Sequence, residues 1–520
     1  MARNHFQFRS VMRLLVLSLL VLATWSEGYA QSTTATIRGT VTNESGAPLA
    51  NAEVNAVSTT TGFTHTVKAG KDGSFVLGGL NPGSYTIVTA AEGFDPRSQD
   101  LTVAIGQNLS VDFRMTPQMV VRENITVVGN QAIETRTSEI ATNVSPHQIE
   151  NLPQNERNFL NFAALAPGVS LSKDPQRKTI SSGAQPAEQT NVFIDGVSMK
   201  NDVLQGGAVG QDASRGNPFP QNAVQEFRVI TQNYSAQYDK ASSAIITAVT
   251  KSGGNQFVGN AFVFYQPKSW VSDTEKGFQF STLTTNESYK RYQDGISFGG
   301  PIVRDKLNFF VSYEGDNEHA TTPVSLGNSA FTSQFGSYTG VFNSPFKSNL
   351  AFGKLSWQAA ANQLLDFSGN YRKENEIRDF GGQTSYESAT NLKNSVDGAT
   401  LRHQWNSNTS LNQATLSLQK YYWHQDALDQ NLVGKNYQGI IRIGGRSTIQ
   451  QFTQRRIELR DDYNFGNFDW LGTHSLQVGG NIDSLNYNVN KEQFGNPEFQ
   501  FRTDPANGLT LDQPFEVNYG

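Results

Sequence analysis

One stretch in mid-chain limits the possible folds more than any other: FGGPIVRDKLNFFVSYEG, residues 298–315. From Leu307 onward its residues alternate, with Leu307, Phe309, Val311 and Tyr313 on one side and Asn308, Ser312 and Glu314 on the other. A repeat of two sends successive side chains to opposite faces, the pattern of a strand with one apolar and one wet face. The pattern recurs downstream. Ala351, Gly353, Leu355 and Trp357 oppose Lys354 and Ser356, and after a turn near Asn362, Leu365, Phe367, Gly369 and Tyr371 oppose Asp366, Ser368, Asn370 and Arg372. Leu476, Val478, Gly480 and Ile482 oppose Gln477, Asn481 and Asp483 in the same way. Lysine or arginine facing lipid at the bilayer midplane costs about 2–4 kcal/mol, so keeping charge on one face predicts strands of a transmembrane β-barrel. His403, between Leu401 and Trp405, and Arg455, in phase with Ile457, break the rule. They are expected near the membrane interface, where the cost is small.

The N-terminus carries an export signal. Arg3, Arg9 and Arg13 precede the apolar run LLVLSLLVLA (14–23), and Gly28 and Ala30 are the small residues before a cut at Gln31. That tripartite order predicts a cleaved signal peptide over residues 1–30. Beyond it no apolar run reaches the roughly 18 residues of a spanning helix. The mean hydropathy of −0.45 fits a barrel whose polar inner residues dilute its lipid-facing ones. A net charge of −5 without a basic tract argues against nucleic acid as a partner. The chain has no cysteine, which excludes disulfides, thiolate metal sites and cysteine nucleophiles.

Four regions follow the signal, giving a mainly β chain. Residues 31–117 alternate short apolar runs (37–41, 52–57, 74–77, 84–89, 101–105, 109–113) with the turns Ser45-Gly46, Lys71-Asp72-Gly73 and Asn81-Pro82-Gly83. Six or seven strands at this spacing predict a β-sandwich. Residues 118–130 (including MVVRENITVVGN) form an isolated extended segment, which a partner's sheet could complete through main-chain hydrogen bonds. Residues 131–255 are mixed α/β: Ser145-Pro146-His147-Gln148 starts a helix, a second helical stretch covers 156–165 and ends at Pro167-Gly168, and Asn191 to Ile194 is a strand closed by Asp195-Gly196. Asp195 is expected to cap its own backbone there and Gly196 to accept a positive φ. Residues 201–220, rich in Gly, Asn and Pro, read as a mobile loop. Residues 256–520 are strand, turn, strand, the first part of an antiparallel barrel.

Two family resemblances sharpen this division. GTVTNESGAPLANAEV and KDGSFVLGGLNPGSYTIVTAAEGF resemble the carboxypeptidase regulatory-like domain family, which implies a transthyretin-like or carbohydrate-binding-like sandwich without peptidase activity. IENLPQNERNFLNFAALAPGV (149–169), NVFIDGVSM (191–199), the run 222–262 and the 298–315 stretch, in that order, resemble the TonB-dependent receptors of the Oar-like group. The resemblance implies a plug domain (131–255) inside a large outer-membrane barrel. It also implies a periplasmic TonB-type energy-coupling protein that pulls on a box carried by Glu123, Asn124, Ile125, Thr126, Val127 and Val128. Outer-membrane lipid and an extracellular substrate of unknown identity complete the implied partners, and no cofactor or metal is implied. Asp195-Gly196 is a family motif of the plug, and Arg228, Tyr234 and Tyr238 are expected to pack it, facing the barrel wall.

No enzyme is expected. Gly295-Ile296-Ser297-Phe298-Gly299 matches a nucleophile elbow but lacks the strand-turn-helix setting such an elbow needs. The histidines stand singly, and Gly206 to Gly210 lacks the Lys-Ser/Thr of a phosphate loop. The function implied is energy-coupled import of a bulky substrate (oligosaccharide, peptide or metal chelate); the alternative is an outer-membrane-anchored carbohydrate-binding or adhesion protein. About nine or ten strands fit after residue 256 at the usual 9–11 residues each plus loops, whereas the family barrel has about 22, the size that carries a plugged lumen. The chain also ends at Asn518-Tyr519-Gly520 without a terminal aromatic residue, so the sequence predicts an incomplete barrel.

Overall fold

The structure is a computed structural model. It describes residues 33–118, 138–271 and 288–520, apart from 155, 175–176, 202, 204–206, 212–213, 408–409, 466–467, 470–472, 475 and 503–509, and it describes the backbone of Thr126 and Val127. The predicted signal at 1–30 lies outside the described residues.

The N-terminal unit has eight short strands: β1 (Ala35–Asn43), β2 (Glu53–Ser58), β3 (Thr64–Lys68), β4 (Ser74–Leu80), β5 (Gly83–Ala90), β6 (Arg97–Val103), β7 (Asn108–Ser110) and β8 (Phe113–Met115). They make two sheets, one with β1 central between β4 and β7/β8, the other ordered β3-β2-β5-β6. Alternating inward residues, Val54, Ala56, Leu77, Ile37 and Ile87 among them, are fully buried between the sheets, as in a sandwich packed face to face. β9 (Thr126–Val127) joins the second sheet beside β6.

The next unit holds β10 (Ile140–Val144), β11 (Val169–Leu171), β12 (Ile180–Ser182), β13 (Asn191–Ile194), β14 (Val197–Ser198), β15 (Val224–Gln232) and β16 (Ile245–Thr250). Its main sheet runs β10-β15-β16-β13-β14. The helix Pro146–Asn151 starts as expected: the Ser145 amide donates to Gln148 Oε1 at 2.9 Å, Ser145 Oγ accepts the Gln148 amide, and Pro146 stands at the first turn. The second helical stretch is shorter and tighter than the sequence suggests. It is a 3₁₀ segment over Phe159–Leu165, started by the Asn158 side chain accepting the Leu160 amide. Phe159, Leu160 and Phe162 anchor it in the core against Phe227.

The third unit is a single antiparallel sheet of nine strands: β17 (Val258–Pro267), β18 (Lys290–Val303), β19 (Leu307–Val324), β20 (Gly340–Ala360), β21 (Gln363–Arg378), β22 (Thr390–Asn406) and β23 (Leu411–Ala427), then, past β24 (Gly434–Tyr437) and β25 (Ile441–Ile443), β26 (Ile449–Asn464), and, past β27 (Phe468–Asp469) and β28 (Thr473–His474), β29 (Gln477–Glu492). β30 (Glu498–Phe501) and β31 (Glu516–Asn518) pair with β24 and β25 in a small separate sheet. The strands reach 21 residues in β20, well beyond the 9–11 that cross a bilayer, so their far ends stand clear of it. Connections on one rim are tight, as between Val303 and Leu307 or Ala360 and Gln363, while those on the other carry whole elements. Short turns mark the periplasmic side of such barrels and long loops the outer side.

The sheet is inside out. Asn308, Ser312 and Glu314 are buried, whereas Val311 and Tyr313 are 47% and 38% exposed. On the outer face the registers align Phe309, Leu355, Phe367, Leu401, Leu416 and Leu459 in one cross-strand row and Val311, Gly353, Gly369, Ala399, Leu418 and Ile457 in the next. Neither row contains a charge. His403 lies in the row on one side of this pair, with Leu365, and Arg455 in the row on the other, with Lys420. The two exceptions to the charge rule therefore flank the apolar belt. Leu401→Arg is expected to cost about 2–4 kcal/mol in refolding into bilayers and Arg455→Leu less than about 1 kcal/mol, measured by reversible unfolding in lipid.

Candidate functional site

Asp195 and Gly196 connect β13 to β14 as a two-residue turn, with φ of 50° and 86°. Positive φ at both positions is the hairpin geometry that Asp-Gly favours. The Asp195 carboxylate does not cap its own backbone, contrary to the sequence expectation. It accepts the Thr250 amide at 2.9 Å and the Thr250 hydroxyl at 2.5 Å, then reaches the barrel wall, where Lys354 Nζ donates to it at 3.1 Å. Lys354 also bonds Thr250 Oγ1 and lies 4.0 Å from Asp366. Asp366 is held by Ser356 and by Arg402, and Arg402 donates onward to Thr33 at 3.2 Å. Two carboxylates and two cations thus form a neutral set in which Lys354 is 3% exposed and Arg402 and Asp366 4% each. Burial pushes the Asp195 carboxyl up, but Lys354, Arg402 and the two Thr250 hydrogen bonds outweigh it and hold the group below the usual carboxylate range.

Polar contacts of this kind recur along the junction between the mixed domain and the wall. Arg157 pairs with Glu314, which also accepts the Asn222 amide at 2.7 Å. Arg215 pairs with Glu318 at 2.8 Å and Glu376 at 3.0 Å, and Lys240 with Asp483 at 2.9 Å. The 201–220 segment, expected as a mobile loop, is hydrogen-bonded to the wall where described. Arg372 donates to the carbonyls of Val209 and Gly210, Ser214 to Glu374, and Asn201 to Gln454. Of the strand side chains that meet the mixed domain, Lys354 and Arg372 were visible in the sequence only as charges on the polar face. Arg228, Tyr234 and Tyr238, expected to pack the domain, each have a partner inside it. Arg228 pairs with Glu139, Tyr234 bonds the Ala241 carbonyl and Tyr238 packs on Phe193, all within the domain. Of the predicted box, Thr126 and Val127 form β9; residues 123–125 and 128 lie outside the described residues. Among the described residues no three His, Asp or Glu side chains gather as a metal site, and Ser297 of the elbow-like motif sits inside β18.

The sandwich is tied to both neighbours. Gln404 donates to the Gly79 carbonyl at 2.7 Å, Gln358 bonds Thr64 in both directions, and Asn406 meets His65 Nδ1 at 2.9 Å, all on the barrel rim. On the mixed domain, Gln225 donates to the Pro82 carbonyl at 2.7 Å and the Glu226 carboxylate accepts the Ile105 amide. Burial pushes Glu226 up to about 7 and pulls His65 down to about 4, from ordinary values of 4.5 and 6.5. The raised carboxyl favours docking most below pH 4.5 and this contribution is lost as pH rises through 7; the lowered imidazole favours docking most above pH 6.5 and its contribution is lost as pH falls through 4. The two slopes oppose, so docking of the intact chain should vary little across this range. Glu226→Gln should expose the histidine slope, with docking weakening from pH 6.5 down to 4, measured by hydrogen exchange at the Thr64 amide, which bonds Gln358 of the wall. His65→Asn should show the reverse.

A lipid-facing sheet whose inner face is stoppered by a separate, polar-seated domain defines a plugged outer-membrane barrel protein. Residues 36–116 match the carboxypeptidase regulatory-like domain family and residues 249–327 an outer membrane beta barrel domain family. The TonB-dependent transporter Oar of Myxococcus xanthus is 28% identical over 301 residues, which is 55% of this chain and 27% of that protein. The outer membrane transporter YddB from Escherichia coli shares the fold, with a TM-score of 0.54 at 13% identity over 70% of this chain and 50% of its own. The siderophore receptor PirA from Acinetobacter baumannii superposes with a TM-score of 0.47 at 16% identity, over 67% and 48% of the two chains. The chain spans about a quarter of the length of the curated relative it matches. The chain is thus similar to a TonB-dependent transporter, with a regulatory-like domain towards its N-terminus and an outer membrane beta barrel domain after it.

Proposed function

We propose that the chain is the plug-bearing part of an energy-coupled importer, which takes a bulky substrate (an oligosaccharide, a peptide or a metal chelate) across the outer membrane without an enzymatic step. The observation that carries this reading is the junction centred on Asp195 and Lys354. The plug is seated on the wall through ion pairs and hydrogen bonds as well as the aromatic contacts of Phe310 and Phe352. Water can replace polar contacts one by one when the plug shifts, which makes such an interface easier to open than a dry apolar one. Residues 123–128 serve in this reading as the box for the periplasmic energy-coupling protein, and the long connections of the outer rim carry substrate recognition. Uptake of labelled substrates of the three classes, with and without the energy-coupling protein, tests the proposal. Accumulation of one class that vanishes with the coupling protein is the expected result. Surface binding without coupled uptake would instead support an anchored binding or adhesion protein.

A further inference from the structure

We propose that the outer face of the sheet holds the phosphate groups of an outer-leaflet lipid, on a line of cations set by β20, β21, β22, β23 and β26. The proposal rests on the reading of this sheet as part of an outer-membrane barrel. Each of these strands places one lysine or arginine on its lipid side near the rim of long connections: Lys347, Lys373, Lys393, Lys420 and Arg455, all exposed. Cross-strand rows run obliquely to the membrane, because barrel strands tilt by about 35–45°. At the usual strand spacing, a line of constant depth therefore moves by about one residue per strand. From Lys347 the register leads through Asn375, Lys393 and His424 to Gln451, four residues before Arg455 and four strand steps away. The tilt thus brings Lys347 and Arg455 to one level, with Lys373, Lys393 and Lys420 close to it. The apolar belt slides the same way, from Ile296 and Phe298 in β18 to Gly480 and Ile482 in β29.

Two features separate this line from ordinary interfacial anchors. It is one-sided. On the same five strands, the outward positions toward the short turns include Trp357, Leu365, His403, Trp405, Ala414 and Asp461, and no lysine or arginine. Basic side chains that merely reach for water would serve either rim. The line also carries uncompensated charge. Lys420 stands directly opposite Arg455, and like charges so placed destabilise a sheet. Lys393 pairs with Asp426 at 3.2 Å. Lys347, Lys373, Lys420 and Arg455 make no ion pair among the described residues, even though Asp397 faces Lys420 across the strands. A phosphate seated between Lys420 and Arg455 converts their repulsion into two charge-assisted bonds. The apolar belt beneath takes the acyl chains, and the exposed ring of Tyr371, in the row of Lys420, marks the interface between them.

The full chain in dodecyl maltoside is titrated with dioleoyl phosphatidic acid, a phosphate monoester, and with dioleoyl phosphatidylcholine, and bound lipid is counted by native mass spectrometry. Phosphatidic acid is expected to bind more tightly. Lys420→Gln with Arg455→Gln should weaken it by roughly 30-fold and leave phosphatidylcholine unchanged. Lys420→Arg with Arg455→Lys keeps both charges and should keep the preference. Arg304→Gln with Lys306→Gln removes the same charge from the short turn between β18 and β19 and should change nothing. Equal binding of the two lipids by the unaltered chain, or an equal loss in the short-turn variant, overturns the proposal. Displacement of the lipid by inorganic phosphate at equal concentration makes the line a site for free anions and also overturns it. A chain that stays in solution without detergent overturns instead the reading of the sheet as a barrel wall.

Discussion

Replacing Lys354 by methionine is expected to weaken the seating of the plug by about 3–5 kcal/mol, the cost of removing one partner from a buried ion set. Methionine keeps most of the stem, so the loss comes from charge rather than from a cavity. Asp195 would keep its two bonds from Thr250 but face Asp366 with the Arg402 guanidinium as the remaining nearby cation. Two buried carboxylates with one cation cannot both stay ionised at ordinary cost. Hydrogen exchange at the Thr250 amide, compared with amides of the β19–β20 pair under increasing urea, reports plug release separately from unfolding of the wall. Combining Lys354→Met with Asp195→Asn restores neutrality and should recover most of the loss. A change below about 1 kcal/mol, the range of solvent-exposed pairs, would mean that water reaches the cluster and that the plug is held elsewhere.

Val127→Pro is expected to abolish energy-coupled uptake while leaving outer-membrane insertion and substrate binding from outside intact. Proline removes a backbone N–H and fixes φ near −65°, which prevents strand addition whatever side chains the partner prefers. Uptake should fall to that of cells lacking the coupling protein. Unchanged uptake would make residues 123–128 an ordinary connector.

The outer surface of the barrel domain was legible residue by residue. Leu355, Trp357, Leu365 and Phe367 could be assigned to one face because lipid excludes charge across the apolar belt, and a period of two fixes the face once the strand is recognised. Turn chemistry was equally readable: Asp195-Gly196 and Ser145-Pro146 behave locally as their residue types require. What such local reading misassigned was the destination of polar atoms. Asp195 was expected to serve its own turn, yet its carboxylate is shared between Thr250 and Lys354, which is 159 positions away in the chain. Arg228, Tyr234 and Tyr238 carry no periodic signal naming their partners, which lie in Glu139, Ala241 and Phe193. The 201–220 segment looked loose because Gly, Asn and Pro disfavour regular elements, but Arg372, Glu374 and Gln454 of the wall supply its hydrogen bonds.

By itself, then, the sequence determined what each strand can show to lipid and where the chain can turn, since those depend on neighbours one to four residues apart and on the solvent outside. Its ordered motifs also carried the resemblance to TonB-dependent receptors. Only the tertiary structure decided that the polar faces close on a plug through a neutral set of two carboxylates and two cations. It also decided that the sandwich spans plug and rim, and that β9 rests on β6. Charge pairing and strand addition are contacts between surfaces far apart in the chain, and nothing in a residue's near neighbours records which distant surface will meet it.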